Sequence, residues 1–161
     1  MRAKVGFLFF VLLSLLLTGF IFSNSLKTAG ESRAQSGRVM ELVRPILVPR
    51  FIHGETKEET EQILSFVVRK VAHFVEFGAL GTCVGGSFAS LSVIRKRKYL
   101  IAPGAFCVAI AFCDEFIQSF TGRTNSLKDV ALDSCGSICG LIFVACVVWL
   151  LKQKGKKTVS I

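Results

Sequence analysis

Apolar residues along the chain fall into four long runs. Residues 5–22 carry no ionisable side chain, 71–94 are interrupted by His73 and Glu76, 99–120 contain Asp114 and Glu115, and 130–151 contain Asp133. Each run approaches or exceeds the roughly 20 residues that a helix needs to cross a bilayer at about 1.5 Å per residue. Backbone polar groups in lipid must be satisfied internally, and runs of this length do so as helices. The pattern predicts an all-α fold in one domain over residues 1–161: an integral membrane four-helix bundle.

The long polar stretch, residues 23–70, lies between the first and second runs. Pro45 and Pro49 lie four apart among Val, Leu, Ile and Phe, and interior prolines break helices. An amphipathic or irregular segment on the outer face of the bundle is therefore expected, with a plain loop an equal alternative for the Ser/Thr/Gly/Gln-rich residues 23–37. At Thr56 the pattern changes, because Thr56 and Glu59 have capping-box spacing. A helix is expected to start there and run unbroken into the second span.

Composition supports lipid as the solvent. Of 161 residues, 52% are hydrophobic and a further 14 are Gly, more than a soluble domain carries and far from the polarity of disorder. The first run exceeds the 7–15 apolar residues of a cleaved signal, so it reads as a retained anchor. All six cysteines fall within spans, where they read as soft packing residues without disulfides.

Charge changes the picture once it is divided by location. None of the 20 Lys and Arg lies in a span, whereas four of the 11 Asp and Glu do. Dense basic clusters at Arg2 and Lys4, at residues 95–98, and in a tail at residues 152–161 place both termini in the cytoplasm by the positive-inside rule. These clusters abut apolar spans, so they read as anchors against anionic membrane lipid rather than as a nucleic-acid face. Carboxylates inside spans are another matter, since a charge at the bilayer centre costs at least about 2.5 kcal/mol.

Topology gathers those carboxylates. The start of the second span, the end of the third and the start of the fourth share one side of the membrane. They bring Arg69, Lys70, His73 and Glu76 towards Asp114, Glu115 and Gln118, and towards Asp129 and Asp133, with Arg123 in the short hairpin between. At 1.5 Å per residue His73 lies about 3 Å inside its span end, Asp133 about 5 Å, Glu76 about 8 Å and Asp114 about 9 Å. The result is a polar pocket below the outer interface, not a channel, because the other halves of the spans hold no charge. Gly136 and Gly140 follow Asp133 on one face and permit close helix approach.

Arg69-Lys70-Val71-Ala72-His73-Phe74-Val75-Glu76-Phe77 and Asp114-Glu115-Phe116-Ile117-Gln118-Ser119-Phe120-Thr121-Gly122-Arg123 resemble the two signature blocks of the VanZ-like membrane proteins. Ser126-Leu127-Lys128-Asp129, Asp133, Gly136 and Gly140 match a third block, and Phe22-Ser23-Asn24-Ser25 is similar to the usual ending of the family's first span. Phe77 departs from a frequent Tyr. The resemblance implies a link to teicoplanin resistance in Gram-positive bacteria; it implies no reaction.

The residues leave three functions standing. In the first, His73, Glu76, Asp114 and Glu115 do acid–base chemistry or bind a divalent cation, while Arg69, Lys70, Gln118, Arg123, Asp129 and Asp133 hold a cell-wall precursor or lipid head group. In the second, the same pocket binds such a precursor or a glycopeptide without chemistry. In the third, the charges form an ion network that pairs the helices.

Overall fold

The computed structural model describes residues 2–52, 54, 56–91, 101–121 and 126–158, and these form helices and short connections without a strand. Five helices follow in order: α1 (Arg2–Ser25), α2 (Ala29–Phe51), α3 (Lys57–Ser90), α4 (Ile101–Ser119) and α5 (Leu127–Thr158). Three contain stretches long and apolar enough to cross a membrane, Ala3–Ser25, Ile101–Ser119 and Leu127–Gln153. Their outward faces carry exposed Leu8, Phe9, Leu12, Leu15, Phe112, Phe116, Phe143 and Trp149. Such a surface is a liability in water and ordinary against lipid.

The remaining expected span, 71–94, belongs to α3 up to Ser90. It is the helix on which α1, α2, α4 and α5 all pack. Enclosure by protein explains its lower apolarity, since a central helix needs small residues more than lipid-facing ones. Gly81, Cys83, Gly85, Gly86 and Ser87 of α3 are all buried.

The seam between α3 and α5 is made by backbone approaching backbone. A Cβ added at Gly81 would stand 2.1 Å from the carbonyl oxygen of Ser137, and one at Gly140 would stand 2.1 Å from that of Gly78. Gly136 lies as close to the Phe74 carbonyl, at 2.5 Å from its would-be Cβ, so the predicted glycine face of α5 does meet a partner. Ser137 Oγ donates to the Phe77 carbonyl at 3.2 Å across the same seam. Contacts advance in step from Phe74 with Gly136 to Gly85 with Val144, so the two helices run parallel. Helix α1 runs antiparallel to α3, with Phe10 against Gly86 and Asn24 bonded to Glu76.

The segment expected to be amphipathic or irregular, with its prolines preventing a long regular helix, is instead one continuous helix. α2 spans 23 residues with Pro45 and Pro49 inside it. Each interior proline costs about 3 kcal/mol. Packing offsets this: Ile52, Leu64 and Val68 are buried, and Met40, Val43, Leu47, Val48 and Ile63 pack around them, at about 1.5–3 kcal/mol for each fully buried aliphatic side chain. Nor is 23–37 a loop, because α1 runs to Ser25 and α2 starts after Thr28 with a complete capping box. Glu31 accepts the Thr28 backbone N–H at 2.9 Å; this bond, then one from the Thr28 hydroxyl, holds the Glu31 carboxyl below its usual range. The expected cap of α3 is present, with Thr56 accepting from the Glu59 N–H at 3.2 Å. All six thiols are free, Cys83 and Cys107 buried and the other four exposed.

Candidate functional site

Three helix ends meet the middle of α3 at one end of the molecule: the end of α1, the end of α4 and the start of α5. From α3, α4 and α5 respectively, His73, Asp114 and Asp133 offer one donor atom each, all within 4.8 Å of one another. His73 Nδ1 lies 3.7 Å from Asp133 Oδ1 and 4.0 Å from Asp114 Oδ2. Both aspartates are 0% exposed, and the His73 side chain is 21% exposed. A core of Ile21, Phe77, Leu80, Val84, Cys107, Ala111 and Val130 occupies the same faces of these helices. The cluster is thus held among apolar side chains, where a charge needs a close partner.

The two carboxylates are supported very differently. Asp114 accepts from Ser25 Oγ at one oxygen and from Gln118 Nε2, at 2.6 Å, at the other. The Gln118 bond is the one-turn pairing its spacing predicts. Asp133 has no hydrogen-bond partner at either oxygen among the described residues. An ionised carboxylate in that state is costly unless a cation sits beside it.

Other charged groups ring the cluster. Glu76 accepts from Asn24 Nδ2 at 3.3 Å, and Lys27 Nζ holds Asn24 Oδ1 at 2.7 Å. Lys70 forms a part-buried salt bridge with Asp129, tying α3 to the first turn of α5. Glu115 accepts the Ser126 backbone N–H at 2.9 Å, so it satisfies the chain entering α5 and is not one of the three convergent donors. The Nε of Arg69 is buried and has no partner among the described residues. Arg123 lies outside the described residues.

Two polar cavities adjoin the cluster. One is small and lined by Arg69, Lys70, His73, Gln118, Asp129, Leu132 and Asp133. The other, about 70 Å³, is lined by Asn24, Ser32, Gln35, Ser36, Arg69, Ala72, His73 and Glu76. The second shares Gln35, Ser36, Ala72 and Glu76 with an apolar groove of about 420 Å³ between α2 and α3, where Val39, Val43, Leu47, Val67, Val68, Val71 and Val75 form the walls. That volume falls within the roughly 300–1,000 Å³ of ligand pockets.

Most of the residues singled out from sequence therefore meet: Arg69, Lys70, His73, Glu76, Asp114, Gln118, Asp129 and Asp133 line or adjoin these two neighbouring cavities. Sequence reasoning missed Asn24, Ser25 and the α2 residues Ser32, Gln35 and Ser36. For Asn24 and Ser25 the signal was present, since the expected four-span topology puts polar residues closing the first run at the same end as the other three polar groups.

A family model for VanZ/LLP1 matches residues 10–150. Searches of curated proteins and of solved structures returned no match. The match takes in all the described site residues, from Asn24 to Asp133, and with it the chain belongs to the VanZ/LLP1 family.

Proposed function

We propose that this chain is a multi-pass protein of the cell membrane, with both termini in the cytoplasm and α1, α3, α4 and α5 crossing. Its polar end lies at the outer leaflet and binds an anionic, lipid-linked ligand of the cell envelope. The observation that carries this reading is Arg69, whose Nε is buried and unpartnered among the described residues where a polar cavity opens into an apolar groove. A guanidinium in that position suits a phosphate or carboxylate, and the groove between α2 and α3 suits an acyl or prenyl chain. Within the pocket Glu76 is the group that would move a proton on a bound head group. A protein that holds a lipid-linked envelope precursor changes what a glycopeptide can reach, which is how the family's link to teicoplanin resistance would arise here.

The test uses the full chain in neutral detergent and native mass spectrometry with phosphatidic acid or phosphatidylcholine as probe. Retention of phosphatidic acid over phosphatidylcholine, lost in Arg69→Gln, is the expected result. Equal retention of both lipids, or no change in the variant, would overturn the reading.

A second reading has specific support in the Lys70–Asp129 bridge and the Glu115–Ser126 bond, which join helix ends directly. In it the charges set helix register and have no ligand. Lys70→Asp combined with Asp129→Lys would then restore the stability and teicoplanin phenotype that either change alone removes.

A further inference from the structure

The His73, Asp114 and Asp133 donors have an arrangement that lining a lipid pocket does not require, and we infer that they form a site for one divalent transition-metal ion, Zn²⁺ or Mn²⁺. The inference builds on the polar end being a ligand site and names a cofactor for it. Three helices each contribute one donor, at positions at least 19 apart in the chain, and all three donors lie within 4.8 Å. Ligand atoms around an ion with bonds of about 2.1 Å stand about 3–3.5 Å apart. The two separations from His73 Nδ1, 3.7 and 4.0 Å, contract to that range with movements of about half an ångström.

An independent observation points to a cation. Asp133 is fully buried, both its oxygens lack a hydrogen-bond partner among the described residues, and one of them faces His73. Asp114 is already oriented as metal-ligating carboxylates are, by outer hydrogen bonds from Ser25 and Gln118. Lys70, which lines the same cavity as Asp133, is engaged with Asp129.

The donor set selects the ion. One imidazole nitrogen with two carboxylate oxygens suits Zn²⁺ or Mn²⁺. Ca²⁺ wants six to eight oxygens, and Mg²⁺ a near-ideal octahedron of them. Three protein ligands leave a coordination position free, and His73 and Asp133 both line the cavity that contains Arg69. An anionic oxygen held by Arg69 is thereby brought beside the ion, which would act on it as a Lewis acid.

The experiment strips the full chain with a chelator in detergent and titrates ZnCl₂ and MnCl₂ separately by calorimetry. One equivalent per chain is expected for at least one ion, weakened at least about tenfold in His73→Ala and in Asp133→Asn and unchanged in Glu115→Gln. Far-UV circular dichroism and gel filtration establish that the variants are folded. Electron-spin-echo spectroscopy of the Mn²⁺-loaded parent should show coupling to one imidazole nitrogen, a readout that needs no variant. Absence of a saturable equivalent, affinity unmoved in both variants, or Mn²⁺ without nitrogen coupling would each overturn the site. Phosphatidic acid retention by chelator-treated protein separates the two proposals: if it persists where metal fails, only the metal inference falls.

Discussion

Helix α3 meets its neighbours α5 and α2 in opposite ways. Against α5 it offers glycine, and the two backbones come so close that no Cβ fits at Gly81 or Gly140. Against α2 it offers Leu64, Val68, Val71 and Val75, whose side chains hold the helices apart and leave a groove. The first contact fixes position: His73 and Asp133 ride on the two helices of a seam with almost no freedom to slide. The second leaves space beside the same pocket. Rigidity and access are thus assigned to different faces of one helix, which is how a site can be held rigid and still take up a large ligand.

That contrast can be broken from either side. Gly81→Leu should have the largest effect, because its side chain must displace the Ser137 carbonyl; a loss of about 3 kcal/mol or more is expected, read as collapse of thermal unfolding in detergent. Arg69→Gln should leave unfolding nearly unchanged yet weaken phosphatidic acid binding about tenfold or more, the worth of a charge-assisted hydrogen bond of about 1.5–3 kcal/mol. Val43→Trp, which fills the groove from the α2 side, should weaken the lipid several-fold and leave glycerol phosphate binding untouched. If it weakens both equally, the groove has no separate role.

The smallest effect concerns the start of α2. The Glu31 carboxyl is held below its usual range by the Thr28 backbone N–H and hydroxyl. A depressed folded-state pKa stabilises above the unfolded value and is lost as pH falls through the folded one. Acidification below the ordinary carboxylate range should therefore lower the protection of amides in the first turn of α2 in the parent, measured as the exchange rate relative to the intrinsic rate at each pH. In Glu31→Gln the protection there should not change over the same pH range.

Much of this was legible in the sequence. The apolar runs gave the bodies of α1, α4 and α5, capping chemistry gave the start of α3, and span topology gave the common end where His73, Asp114 and Asp133 meet. The failures have definite physical causes. α2 was misread because its prolines and its Ser/Thr/Gly/Gln-rich start outweighed Thr28 and Glu31, which have the same capping spacing that was recognised at Thr56 and Glu59. What rescues that helix is packing on Leu64 and Val68, a tertiary effect that no local pattern carries. Glu115 was grouped with Asp114 because the two are adjacent in the chain. Adjacent helical residues point about 100° apart, and that rotation takes Glu115 to Ser126 while Asp114 faces His73.

The central claim is that the polar end is a binding site and not an ion network holding the helices in register. Thermal unfolding of Asp133→Asn, compared with the parent after chelator treatment and without added lipid, tests it most directly. The substitution keeps the shape and removes a buried carboxylate that has no hydrogen bond among the described residues. The account predicts an unfolding midpoint equal to or above that of the parent, since a costly buried charge is relieved. A fall of several degrees would mean that Asp133 paired with His73 stabilises the ligand-free fold, and would contradict it.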